Sequence, residues 1–186
     1  MGFAESLETV LEEARRLLAT VKEEEVEAFL ALLESYRERR IFVWARGRSF
    51  LFLKGFAMRL MHLGYSVHVV GEVTCPSIGE GDLLLCASGS GKTSSVLLFA
   101  EKARAKGAKV AAVVGRSGTP LHEHLHWAVT FSPENAGPSK QLESQGGGTR
   151  FEHALLLFLD ACILELIASH REEAYRLMMA RHANLE

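Results

Sequence analysis

Apolar residues recur at intervals of three and four positions at both ends of the chain, with polar residues between them. The spacing over residues 7–21 and 26–36 predicts two amphipathic helices, which we interpret as an N-terminal helical hairpin within residues 1–39. The same periodicity over residues 151–168, and onward to Arg181, predicts two further helices within residues 151–184. Helices therefore flank a middle region with a different pattern.

The middle region contains short runs that are almost wholly apolar, and helical segments separate them. The runs cover residues 41–45, 67–70, 83–87, 110–114 and 127–131. Strands of this kind are typical of a parallel sheet that is covered on both faces. With right-handed crossovers they predict an α/β fold: a three-layer, doubly wound, five-stranded parallel sheet of flavodoxin-like topology.

The sheet is expected to occupy residues 40–131 of a single domain that spans residues 1–186. Residues 132–150 lack periodicity and contain Pro133, Pro138 and a run of three glycines, Gly146 to Gly148. We predict a long polar loop there. Long loops in compact domains are commonly functional, so this loop is a candidate part of a site.

Composition excludes several classes of protein. The chain has 186 residues, of which 48% are hydrophobic and 24% charged, which is the ordinary globular mixture. Its net charge of -2 argues against a dedicated nucleic-acid binder. No apolar run reaches transmembrane length, and we expect no membrane association. Three widely spaced cysteines without a zinc pattern favour a reducing, cytoplasmic compartment.

Two loops leave a predicted strand and enter a predicted helix with chemistry that suits an anion. Glycines let backbone N–H groups turn inward, hydroxyls donate hydrogen bonds, and a helix N-terminus favours negative charge. The residues of the sharper loop are Ser88, Gly89, Ser90, Gly91, Lys92 and Thr93, and those of the other are Gly47, Arg48 and Ser49. The pattern predicts a phosphate site, although a plain strand-to-helix connector with a capping hydroxyl remains an alternative.

Two better-known phosphate motifs do not fit. A Walker A loop requires a glycine five residues before Gly91, where this chain has Cys86. The Rossmann fingerprint requires three spaced glycines after a strand, and only Gly47 lies after the first one. The alternating His122, His124 and His126 have only Glu123 beside them to complete a ligand set, and we predict no metal site.

The residues 88–93 resemble the phosphate loop of the sugar isomerase (SIS) domain family. Residues 56–64, 70–72 and 76–84, together with Phe151 and Glu152, resemble the 6-phospho-3-hexuloisomerases within that family. The resemblance covers nearly the whole chain. It implies isomerisation of D-arabino-hex-3-ulose 6-phosphate to fructose 6-phosphate, in carbohydrate metabolism such as the ribulose monophosphate pathway, without a metal or a nucleotide cofactor.

The same resemblance implies roles for particular residues. Glu152 is expected to be the catalytic base, and His62 to assist proton movement or ring opening. The two glycine-containing loops are expected to bind the substrate phosphate. The family also implies a homotetramer whose active sites lie at subunit interfaces.

The chain departs from the family pattern at the first loop and at one position of the second. Ala45 and Phe50 replace the outer glycines of the first loop, and Lys92 stands where the family usually has glutamate. Another SIS isomerase, acting on arabinose 5-phosphate or a heptose phosphate, therefore remains an alternative. A non-catalytic regulator that binds sugar phosphates is a further one, weakened because the short acidic N-terminal segment does not resemble a DNA-binding domain.

Overall fold

Helices and strands alternate in the computed structural model, which describes residues 2–132, 145–146, 148–169 and 171–185. The described α-helices are α1 Phe3–Leu18, α2 Glu23–Ser35, α3 Gly47–His62, α4 Ser94–Ala105, α5 Thr149–Ser169 and α6 Arg171–Arg181. The strands are β1 Arg40–Trp44, β2 Ser66–Val69, β3 Leu83–Ser88, β4 Lys109–Val114 and β5 Trp127–Thr130. A short 3-10 helix, Pro120–His124, connects β4 to β5.

The five strands form one parallel sheet in the order β2-β1-β3-β4-β5. This confirms the predicted flavodoxin-like topology. The chain reverses its direction of winding between β1 and β3, so the loops that follow these two strands diverge. In folds of this class the resulting crevice, at the carboxyl ends of the strands, is where ligands bind.

Side chains of the strands alternate between two cores, which gives the predicted three layers. Phe42 and Leu84 face α4, whereas Ile41 and Val43 face the side that carries α1, α2, α3 and α5. The N-terminal helices differ from a self-contained hairpin. α1 packs chiefly against α5, and α2 packs against β5 and α5, so both belong to the main core.

Two element boundaries differ from the sequence prediction. Gly47, Arg48 and Ser49 form the first turn of α3 instead of a loop. α5 begins at Thr149, two residues earlier than expected, because the Thr149 hydroxyl donates to the Gly146 carbonyl at 2.7 Å and extends the ordered turn. Pro133 and Pro138 lie outside the described residues. Among the described helices, none has the length and apolar content needed to cross a membrane.

Candidate active site

A cavity of about 470 Å³ opens at the carboxyl edge of the sheet. This volume lies within the range of small-molecule sites. It is bounded by α1, the start of α3, the loops after β3 and β4, and the start of α5. The lining residues are Leu17, Ser49, Gly89, Ser90, Lys92, Thr93, Gly115, Arg116, Gly148, Arg150, Phe151 and Glu152.

Hydroxyl groups hold the loop between β3 and α4 in shape. The Ser88 hydroxyl accepts a hydrogen bond from the Gly91 N–H at 3.1 Å and lies 3.0 Å from the Thr93 hydroxyl. The Thr93 side chain is thereby turned toward Ser88, and it makes no capping bond to α4. Because no side chain caps this end, N–H groups of the first turn of α4 remain available to an anion. The plain capping alternative is therefore disfavoured.

Three segments meet around Gly89, and they approach so closely that glycine is required. A Cβ on Gly115 would lie 2.8 Å from Cα of Gly89, and a Cβ on Gly89 would lie 3.0 Å from the Phe151 ring. A Cβ on Gly91 would lie 2.8 Å from Cγ2 of Thr119, and Gly91 also has a positive φ of 59°. The absence of side chains at these positions lets the loops after β3 and β4 and the start of α5 interlock.

Glu152 points into this cavity from the first turn of α5. Its carboxylate lies 3.1 Å from Nη1 of Arg48, and only 16% of its side chain is exposed. The Arg48 guanidinium also lies 3.3 Å from Nε2 of His153 and 5.7 Å from the centre of the Phe52 ring. Arg48, expected to bind phosphate, pairs with Glu152, the expected base.

His62 lies at the opposite edge of the sheet from Glu152. It ends α3, roughly 22 Å along the helix from Gly47 at about 1.5 Å per residue. Its ring stacks on His182 at 5.6 Å, and its buried Nδ1 has no hydrogen-bond partner among the described residues. Burial lowers the pKa of His62, and the neighbouring Arg59 and His182 lower it further. One protomer therefore does not bring His62 to its own cavity.

The structure thus divides the predicted site residues into three groups. Five of them line the cavity: Ser49, Gly89, Ser90, Thr93 and Glu152. Four others support it from behind or from the side: Ser88, Gly91, Gly47 and Arg48. His62 lies apart from both groups.

The polar and glycine lining residues that sequence reasoning missed include Gly115, Arg116 and Arg150. Gly115 and Arg116 follow β4 directly, and β4 pairs with β3. A Gly-Arg pair at the carboxyl end of the strand beside the phosphate loop was therefore a usable signal. Arg150 offered none, since its approach depends on how α5 returns to the sheet.

No cluster of three potential metal ligands occurs in the part of the chain that the structure describes. Two of the alternating histidines make local hydrogen bonds instead. Nδ1 of His126 accepts the Val110 N–H at 3.1 Å, and Nδ1 of His122 lies 2.9 Å from the Thr119 hydroxyl. The three cysteines are free thiols.

Comparison with known proteins gives consistent results. The model of the SIS domain matches residues 34–146. The 3-hexulose-6-phosphate isomerase of Mycobacterium gastri is 42% identical over 79% of this chain and 74% of its own length. That of Bacillus subtilis is 35% identical, with full coverage of both chains. A Methanococcus jannaschii crystal structure, from which the function of 3-hexulose-6-phosphate isomerase was inferred, superposes with a TM-score of 0.80 at 33% identity, covering 98% of this chain and 99% of the other.

Proposed function

This chain belongs to the SIS domain family, and from that premise we propose that it interconverts D-arabino-hex-3-ulose 6-phosphate and fructose 6-phosphate. The observation that carries the proposal is the position of Glu152. Its carboxylate lines the same cavity as residues 88–93 after β3, which we call the anion loop. A bound sugar phosphate would therefore lie beside a carboxylate. The relatives named for this reaction match the chain over most or all of its length.

The substrate phosphate binds at the loop after β3. Ser90 and Thr93 offer hydroxyl donors, the first turn of α4 offers backbone N–H groups, and Lys92 offers positive charge. Ser49 supplies a further hydroxyl from α3. Anchoring the phosphate holds the sugar carbons at a fixed distance from Glu152, which lowers the entropy cost of reaching the reactive geometry.

The reaction moves the carbonyl from C3 to C2 of the sugar. The Glu152 carboxylate removes the proton from C2, and the electrons of that C–H bond form an enediolate between C2 and C3. Glu152 then delivers a proton to C3, while a proton moves from O2 to O3, which leaves the new carbonyl at C2 and a hydroxyl at C3. No atom is gained or lost, and these steps require only proton donors and acceptors.

Arg48 acts on the base, not on the phosphate. At 3.1 Å from the Glu152 carboxylate, and with its guanidinium against Phe52, it fixes the direction in which the carboxylate points. A fixed carboxylate can reach the C2 proton without first reorienting. Arg48 is therefore a positioning residue.

The enzyme is a homotetramer in this proposal, and His62 is supplied to the cavity by a neighbouring subunit. Its own protomer leaves it roughly 22 Å away along α3. α3 also exposes apolar side chains at Leu51, Met58 and Met61, with exposed fractions of 64%, 51% and 37%. Contact between copies would cover such residues. His62 would then relay the proton between O3 and O2.

Mixing two inactive variants tests the shared site. Glu152→Gln and His62→Gln tetramers are dissociated, mixed in equal amounts and reassembled. If each site uses Glu152 and His62 from different subunits, about a quarter of the sites in the mixed tetramers are intact and activity returns. If no activity returns although native mass spectrometry detects mixed tetramers, the shared site is wrong.

A panel of substrates tests the reaction itself. The purified protein is given D-arabino-hex-3-ulose 6-phosphate generated in situ, arabinose 5-phosphate and sedoheptulose 7-phosphate in separate assays. We expect turnover of the hexulose phosphate at least a hundredfold above the other two, an order-of-magnitude estimate for a site that positions reacting atoms. Preferential turnover of either other sugar would replace the proposed substrate, and binding without turnover of any would favour a regulator.

The free thiols are consistent with a cytoplasmic enzyme, which we propose as its location.

A further inference from the structure

The cavity carries more positive charge than a single phosphate requires. Lys92, Arg116 and Arg150 all line it. Glu152 is the one acidic residue among the described lining residues, and its carboxylate is already paired with Arg48. The ion pair is close to neutral, so the three remaining cations dominate the charge of the cavity.

These three side chains have no hydrogen bond or ion pair with any residue that the structure describes. Their positions also differ in origin. Lys92 belongs to the anion loop itself, whereas Arg116 follows β4 and Arg150 opens α5. Arg116 and Arg150 therefore approach the cavity from two elements other than the loop that suits the first phosphate.

We propose that Arg116 and Arg150 form a second anion subsite, and that the cavity binds a sugar bisphosphate in competition with the monophosphate. A phosphate monoester carries about -1.5 to -2 at neutral pH, so a monophosphate leaves at least one of the three cations uncompensated. A bisphosphate, at about -3 to -4, compensates all three. Arginine suits this role because its planar fork binds phosphate oxygens in pairs.

The ligand also has a chemical source. A ketose bisphosphate forms when phosphoryl transfer modifies the free primary hydroxyl of a ketose 6-phosphate, which is the product of the proposed reaction. The bisphosphate would occupy the cavity and slow the isomerase whenever it forms faster than it is consumed. The inference rests on the cavity of the proposed function, but it does not require that the proposed reaction be correct.

Calorimetric titration with two probes tests the subsite. Fructose 6-phosphate and fructose 1,6-bisphosphate are titrated into the full-length protein at neutral pH and fixed ionic strength. We expect the bisphosphate to bind about tenfold more tightly, the size expected for one added charge-assisted contact, and to displace the monophosphate. Equal affinities, or binding of both ligands at once, would overturn the proposal.

Arginine variants then assign the subsite. Arg116→Gln and Arg150→Gln should each reduce the ratio of the two affinities, and the double variant should bring it to about one. Arg171→Gln, on an exposed arginine that begins α6, is the control and should leave the ratio unchanged. Circular dichroism verifies folding, and Arg→Lys variants repeat the test with the charge retained. If the variants lose the same factor in affinity for both probes, the arginines bind the phosphate that the two sugars share, and the proposal of a second subsite is wrong.

The two proposals fail separately. If the protein does not convert the hexulose phosphate but prefers the bisphosphate in an Arg116- and Arg150-dependent way, the reaction is wrong and the subsite stands. If it converts the hexulose phosphate without any preference for the bisphosphate, the subsite is wrong and the reaction stands.

Discussion

The charged side chains at the two edges of the sheet differ in whether they have a partner within the protein. At the amino edge, Arg40 donates to both carboxylate oxygens of Asp82, at 2.9 and 2.7 Å, and Asp82 also accepts the Gly79 N–H at 2.8 Å. At the carboxyl edge, the side chains of Lys92, Arg116 and Arg150 have no such partner among the described residues. The charge of Asp82 is thus compensated within the chain, whereas these three cations at the carboxyl edge can bind a ligand.

This difference indicates which charged residues stabilise the fold and which are available to bind a ligand. Asp82 is 4% exposed, so its charge has to be compensated by protein groups. The cations of the carboxyl edge border a cavity, where water solvates them until a ligand arrives. We therefore expect substitution of Asp82 to change chiefly stability, and substitutions of Lys92, Arg116 and Arg150 to change chiefly binding and turnover.

Among the variants that compare the two edges, Gly115→Ala should have the largest effect, because its new Cβ would meet backbone atoms of Gly89. The new Cβ would lie 2.8 Å from Cα of Gly89 and displace the anion loop. We expect a loss of about 1–3 kcal/mol in unfolding free energy and a fall in activity of about a hundredfold. Urea denaturation and initial rates measure both.

Gly55→Ala is the matched control for that variant. Gly55 lies within α3, and a Cβ there would meet nothing within 4 Å. It should stabilise the protein by up to about 1 kcal/mol, since alanine favours helix over glycine. Equal damage from the two variants would contradict the close contact at Gly115.

Asp82→Asn sharpens the comparison from the amino edge. The neutral amide accepts weaker hydrogen bonds from Arg40 and leaves its guanidinium without a negatively charged partner. We therefore expect a loss of about 2 kcal/mol in unfolding free energy. The activity per folded molecule should stay as in the wild type. A selective loss of turnover, with stability retained, would show that the role of Asp82 is not merely structural.

Arg48→Gln is expected to have a smaller effect, on turnover. Without its partner at 3.1 Å, the Glu152 carboxylate is less well fixed, and kcat should fall about tenfold with little change in KM. Arg48→Lys should restore part of the loss. If KM rises instead while kcat is kept, Arg48 binds the phosphate, as the sequence alone predicted.

His62→Gln should have the smallest effect on stability, visible as a change in pH dependence. The pKa of His62 is lowered in the folded chain by burial, Arg59 and His182. As the pH falls, the unfolded chain therefore binds a proton at His62 at a higher pH than the folded chain does. The contribution of neutral His62 to the free energy of unfolding is full above the ordinary pKa of about 6.5 and is lost as the pH falls below it.

The midpoint of urea unfolding between pH 7.5 and 5 measures this contribution. The His62→Gln protein should lose less stability over that interval than the wild type, with His124→Gln as the control substitution. An unchanged slope in the His62→Gln protein would contradict the assigned direction.

Much of this architecture follows from local patterns. The apolar runs located every strand of the described sheet, and Gly64, with a φ of 98°, follows the end of α3, where a helix commonly has a glycine. The loop of residues 88–93 was also predictable as a connection between a strand and a helix, because its glycines and hydroxyls are contiguous in the sequence. These features depend on neighbours along the chain.

The rest of the site depends on contacts between distant residues. Arg48 and Glu152 are 104 positions apart, and their pairing follows from the packing of α3 on α5. His62 and Glu152 were expected at one site, yet the length of α3 alone separates them in a protomer. Neither relation is encoded in spacing or composition.

We expect the carboxyl edge to be an active site in which Glu152 moves a proton between C2 and C3 of the sugar. Proton NMR of fructose 6-phosphate formed in D₂O, by the wild type and by Glu152→Gln, tests it most directly. Deuterium should enter C3 of the wild-type product in those turnovers in which the proton on Glu152 exchanges with solvent, and the variant should form product about a thousandfold more slowly. An undiminished rate in the Glu152→Gln protein would contradict the role of Glu152 as the base.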